Sequence, residues 1–188
     1  MSAYKTESLK KYCDDLAAKL AAPGGGSAAA LTAALGVSLI SMVVNFTLGK
    51  PKYAAFQREL EEILRESEKL RGEFLNLVDL DVVAYQSKNI RDALNVPFMT
   101  CRLCYEAAKL CPPLIKKGNV NLISDVAVAA VLLEGAFASA YYNVEINLKS
   151  LEDAALAKSI RKELSGKTRL IRKIRSHTEG KVGKIIRG

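Results

Sequence analysis

The chain has 188 residues, 49% hydrophobic and 26% charged, with 12 Gly, 5 Pro and 4 Cys. That excludes a disordered, collagen-like or disulfide-stapled chain and leaves enough apolar material for one domain with a real core. Aromatic content of 6% without Trp argues against an aromatic-paired β-sandwich, and the net charge of +8 sits almost wholly in the last thirty residues, unlike that of a uniformly basic nucleic-acid binder.

The predicted elements are helical throughout. Residues 5–20 place Leu9, Tyr12, Cys13, Leu16 and Leu20 at three- and four-residue spacing. Ala21 to Ser27 then break the pattern. From Leu20 to Gly49 no residue is charged, a run long enough for a membrane span. Its small residues, with Ser38, Ser41, Asn45 and Thr47 interspersed and no aromatic belt, fit instead a helix inside a bundle or a subunit interface. No membrane partner is expected. Residues 54–90 form the clearest amphipathic helix, with the stripe Phe56, Leu60, Ile63, Ser67, Leu70, Phe74, Leu77, Asp81, Ala84. Pro97 is expected to open a further helix that ends at Pro112-Pro113, and Gly118 to Asn121 to form a turn. A second nearly uncharged helix follows over about 124–147, broken only by Asp125, Glu134 and Glu145. A basic helix from about Ser150 closes the chain: residues 158–188 carry eleven basic side chains against two acidic ones, whereas the rest carries 17 against 18. The fold class is therefore all-α, a bundle of about six helices in one domain over 1–188, with 150–188 a basic C-terminal helical segment. No signal peptide opens the chain, so the expected setting is cytoplasmic with reduced thiols.

Three groups of residues stand out chemically. Pro23-Gly24-Gly25-Gly26-Ser27 leads into a long helix, where glycines allow close backbone approach and the helix start offers free N–H groups and a positive dipole end. The plainer reading is a connector with Ser27 as N-cap. The second is Asp81, which falls on the apolar stripe while Asp79 falls off it. Burial there raises a carboxyl pKa toward the range useful for proton transfer. The third is Gly118-Asn119-Val120-Asn121-Leu122-Ile123-Ser124-Asp125, rich in capping residues, with Asn143 and Asn147 at i, i+4 near the far end of the following helix. Buried asparagines need partners, and a polar heteroaromatic ligand would supply them. Cys101, Cys104 and Cys111 share one apolar helix stripe and read as core, and His177 lies in the basic tail, so no metal site is expected.

In this order and spacing the motifs resemble the cyclodeaminase/cyclohydrolase family of folate enzymes. The resemblance runs from about Leu9 to Asp153, through Pro23–Ser27, Met42–Lys50 with Tyr53, Asp81–Tyr85, Val96-Pro97, Gly118-Asn119, Ser124-Asp125 and Asn143 to Leu148. Between Asp81 and Pro97 the chain is shorter than family members usually are. The resemblance implies chemistry at the one-carbon bridge between N5 and N10 of tetrahydrofolate, with a reduced folate as substrate, no cofactor and a homodimeric assembly. It places Asp81 as general acid/base and Gly24, Gly25, Gly26, Ser27, Asn45, Lys50, Asn119, Asn121, Ser124 and Asp125 as substrate-binding residues. The reading from another class is a helical adaptor whose basic tail docks on nucleic acid or an anionic membrane.

Overall fold

Ser8 starts the first helix by accepting the Lys11 amide at 3.1 Å, and α1 (Leu9–Ala17) runs until Ala18 turns extended ahead of the Pro-Gly segment. The computed structural model describes residues 3–188, so Met1 and Ser2 of the expected domain lie outside the described residues. Six further helices follow: α2 (Gly25–Asn45), α3 (Gln57–Ser87), α4 (Ile90–Ala108), α5 (Cys111–Lys117), α6 (Ile123–Leu148) and α7 (Ala154–Arg187). Short 3₁₀ turns at Tyr4–Thr6, Pro51–Phe56 and Val120–Leu122 punctuate them, and no strand occurs among the described residues. All six expected helices are present. α4 ends at Ala108, before the Pro112-Pro113 pair expected to stop it, and that pair instead lies in the first turn of a seventh helix, α5, a position that proline suits.

Pro97 corrects the expectation more sharply. It does not open α4 but lies inside it, seven residues after Ile90, because Asn89 caps the helix by accepting the Arg91 amide at 2.9 Å. The connection from α3 is then only Lys88, in the left-handed conformation, and Asn89.

The two uncharged helices pack on each other at the centre, with α3 on the other side of α2, α4 against α6 and α3, and α7 against α6, α4 and α5. Both are long and apolar enough to span a membrane. In the fold, Val37, Ile40, Val43 and Val44 of α2 and Leu133, Ala136 and Phe137 of α6 lie in one core with Phe74 of α3. Their close approach depends on Gly36, where a Cβ would stand 2.9 Å from Leu133 Cγ. The α2–α3 contact also holds a buried hydroxyl pair, Ser41 and Ser67, at 2.9 Å.

The basic segment is a structural helix over most of its length. Ile160, Leu164, Ile171 and Val182 are buried in the fold. Arg161 pairs with Glu145, and Arg172 and Arg175 with Glu134, so α7 docks on α6 with its own charges. Glu163 receives both Nε and Nη2 of Arg102 from α4, at 2.8 and 2.7 Å. The three core cysteines are inert: burial pushes the Cys101 and Cys111 thiols up to about 12, and Cys104 up as well.

Candidate active site

The start of α2 has no side-chain cap of its own, because Gly24 occupies the N-cap position and Ser27 is the third helical residue, not the cap expected of it. Asp81 fills that role from α3. Its Oδ2 accepts the Ser27 amide at 2.8 Å, so the carboxylate sits at the positive end of the α2 dipole. The approach requires a residue without a side chain at Gly26, where a Cβ would lie 2.1 Å from Asp81 Oδ1. Two effects oppose each other on Asp81. Burial raises its pKa and the Ser27 amide lowers it; burial is the larger, and the carboxyl titrates above its ordinary 3.8.

Asp81 borders a cleft of about 340 Å³, lined also by Ala21, Ala22, Gly24–Gly26, Tyr85, Ala93, Asn143, Ile146 and Asn147. Larger hollows exist beside α1 and between α3 and α4, at about 430 and 530 Å³. Only the Asp81 cleft joins a carboxylate of raised pKa to a helix N-terminus and amide side chains, and this chemistry, not size, marks it. The cleft supplies one group able to move a proton, N–H groups from the first turn of α2, and side-chain carbonyl oxygens. Among the described residues no three His, Cys, Asp or Glu side chains gather as metal ligands.

The structure brings Gly24, Gly25, Gly26, Ser27 and Asp81 together, and adds Asn143 and Asn147 from α6. It does not bring the remaining candidates to them within one chain. Asn45 is the last residue of α2 and Lys50 lies just past it, about 30 Å away for a 21-residue helix. Asn119, Asn121, Ser124 and Asp125 cluster at that same far end. There Asn119 is occupied by the fold: its amide donates to Thr47 Oγ1 at 2.8 Å, its Nδ2 to the Phe46 carbonyl at 3.2 Å, and its Oδ1 caps the Asn121 amide at 3.2 Å. Asn121 and Ser124 are exposed, and Asp125 lies in the first turn of α6. Asp79, off the stripe as expected, accepts the Lys5 amide at 3.4 Å.

One residue behind the site was invisible as such in the sequence. Tyr12 counts as apolar in the α1 stripe, yet its hydroxyl donates to Ser27 Oγ at 3.1 Å with both groups buried, clamping α1 onto the first turn of α2. Nothing in a helical spacing distinguishes a Tyr that uses its hydroxyl from one that only fills space.

The sequence model described as Formiminotransferase-cyclodeaminase matches residues 8–89 and 86–166. A methenyltetrahydrofolate cyclohydrolase from Methylorubrum extorquens is 36% identical over 183 residues, covering 85% of this chain and 88% of that protein. The formimidoyltransferase-cyclodeaminase of Rattus norvegicus is 29% identical over 181 residues; the match takes in 84% of this chain but only 34% of the rat protein. The crystal structure of a formiminotetrahydrofolate cyclodeaminase from Thermotoga maritima superposes with a TM-score of 0.83 at 28% identity, covering 98% of both chains.

Proposed function

The chain belongs to the formiminotransferase-cyclodeaminase family, and from that premise we propose that Asp81 is the group that moves protons at the folate one-carbon bridge. The chain is a folate enzyme of the cyclodeaminase/cyclohydrolase type. In the cyclohydrolase direction, water adds to the methenyl carbon and Asp81 takes one of its protons; that proton goes to N5 as the C–N5 bond breaks, and the remaining hydroxyl proton leaves to solvent as the carbonyl of the 10-formyl compound forms. In the cyclodeaminase direction, N10 attacks the formimino carbon, Asp81 takes the N10 proton, and the leaving nitrogen is protonated and departs as ammonia. Both are proton transfers at a tetrahedral carbon, so the proposed reaction needs no redox cofactor or metal.

The observation that carries this reading is the Asp81 carboxylate: held by the Ser27 amide at the start of α2, bordering the cleft, and with a pKa raised by burial. The test is direct. Wild-type protein should abolish the absorbance of 5,10-methenyltetrahydrofolate faster than buffer does, and Asp81→Asn should lower turnover by roughly 10²-fold or more. Ammonia release from 5-formiminotetrahydrofolate reads the other direction. Near-wild-type turnover by the Asn variant in both assays would remove Asp81 from the mechanism.

The working unit we propose is a homodimer. Ala28, Thr32, Leu35, Leu39, Met42 and Phe46 follow one another at four- and three-residue steps along the face of α2 turned from the core. Leu35 is 53% exposed and Phe46 59%, and α6 adds Tyr142 and Ile146 at 79% and 56%. Leu35 is also the midpoint of α2, so a two-fold axis there would pair α2 with its copy antiparallel. That arrangement lays the far end of one subunit, with Lys50, Asn121, Ser124 and Asp125, beside the Asp81 cleft of the other, and so reunites the substrate-binding set. The adaptor reading is not the favoured one, and Arg161, Arg172 and Arg175 of the basic segment serve its own docking on α6.

A further inference from the structure

Pro97 leaves a specific debt inside α4. A helical residue at that position would donate its N–H to the carbonyl of Ala93, four residues back; proline has no N–H. The bond is supplied from another helix. Asn147 Nδ2 of α6 donates to the Ala93 carbonyl oxygen at 2.7 Å. A carbonyl oxygen only accepts, so the amide cannot be turned the other way, and its orientation follows from chemistry. Asn147 Oδ1 then points away from Ala93. Asn147 and Ala93 both line the Asp81 cleft, and among the described residues no donor meets that oxygen. Asn143, one turn earlier, uses its Nδ2 on the Ser139 carbonyl at 3.0 Å.

We propose that Asn147 is a ligand-binding residue whose amide, locked by the carbonyl that Pro97 orphans, presents Oδ1 to the cleft as the acceptor for an N–H of the reduced pteridine ring. The inference rests on the folate reading above and adds to it the residue that orients the ring. It also explains why a helix-disrupting residue is held in a helix beside the site: with Ala at 97 the carbonyl would have its own donor, and Asn147 would be free to rotate. Because a cleft built to accept a ligand N–H rejects ligands that lack it, the residue bears on specificity as well as affinity.

The double variant Pro97→Ala/Asn147→Leu separates this role from a merely structural one. Pro97→Ala returns a backbone donor to Ala93, so α4 no longer needs Asn147, and removing the amide in that background tests only its cleft side. The expected result is a KM for 5,10-methenyltetrahydrofolate about tenfold above that of Pro97→Ala alone, with kcat changed much less. Equal KM values would overturn the proposal and leave Asn147 as a helix plug, while turnover by the wild type would keep the folate reading intact. Absence of any saturable folate turnover by the wild type would instead remove that reading and this inference with it. Should Pro97→Ala not fold, Asn147→Asp read against pH serves: an aspartic acid can satisfy Ala93 only when protonated, so KM should climb as pH rises through its pKa. A KM at the wild-type value across that range would equally overturn the proposal.

Discussion

Asp81 does for α2 what an N-cap side chain does for most helices, but from another element and at the edge of the cleft. A raised carboxyl pKa means that burial stabilises the neutral form: that contribution is complete below the unfolded value near 3.8 and is lost as pH rises through the higher folded value. At neutral pH the ionised group is therefore a cost to the fold. Asp81→Asn should melt at or above the wild-type temperature at pH 7 while losing turnover, and a lower melting temperature would mean that the charge stabilises the site instead. The same pKa sets the acid limb of kcat/KM above the ordinary carboxylate range, with activity falling as pH drops through it if Asp81 acts first as base. The two neighbouring glycines make a sharper pair. Gly26→Ala drives a methyl into Asp81 Oδ1, whereas Gly25→Ala meets the Asn143 amide at an ordinary 3.5 Å. Both alanines favour the helix by about 1 kcal/mol over glycine, so a loss of tenfold or more in kcat confined to Gly26→Ala would be a site effect and not an unfolding. Equal activities would show that the carboxylate moves aside freely.

At the scale of elements, the amphipathic helices were legible from stripes at the helical period, and α2 and α6 from their uncharged runs. The expected 54–90 is trimmed to Gln57–Ser87, but its register was legible, since the same count that placed Leu70, Phe74 and Leu77 inward placed Asp81 among them. The start of α4 was not, because proline is as common at a helix opening as it is rare inside one, and the bond that Asn147 of α6 gives to the Ala93 carbonyl is not visible in the spacing of α4. The loop was legible as the opening of a helix, but its cap was assigned to Ser27 when the acceptor comes from 54 residues away. Spacing along a chain does not reveal such a partner. The basic segment was the largest ambiguity in the sequence, and its packing makes it part of the fold. Ile171 is fully buried halfway along α7, against the rest of the core. Ile171→Ala should cost about 2–5 kcal/mol in global denaturant unfolding. An arm that docked elsewhere and lay loosely on the bundle would let that substitution pass without moving the midpoint.

At the scale of the whole molecule, one helix length governs what a single chain can do. About 30 Å of α2 separates the Asp81 cleft from Lys50, Asn121, Ser124 and Asp125, and no side chain bridges that distance. The interface that would reunite them is the exposed α2 seam, not Ala33 or Gly36, which are buried inside the chain's own core and would report on folding if charged. Leu35→Lys is the proper probe, expected to give a folded chain of monomer mass by light scattering with activity lost. The composite site itself has a stricter test. In a heterodimer of Asp81→Asn with Lys50→Ala, one cleft receives both changes and the other receives neither. Unfolding the two inactive variants together and refolding them at equal amounts should therefore restore about a quarter of wild-type activity, since half the dimers are mixed and half their clefts intact. A site contained within one chain would carry one lesion in every copy, and the mixture would stay as inactive as its parts.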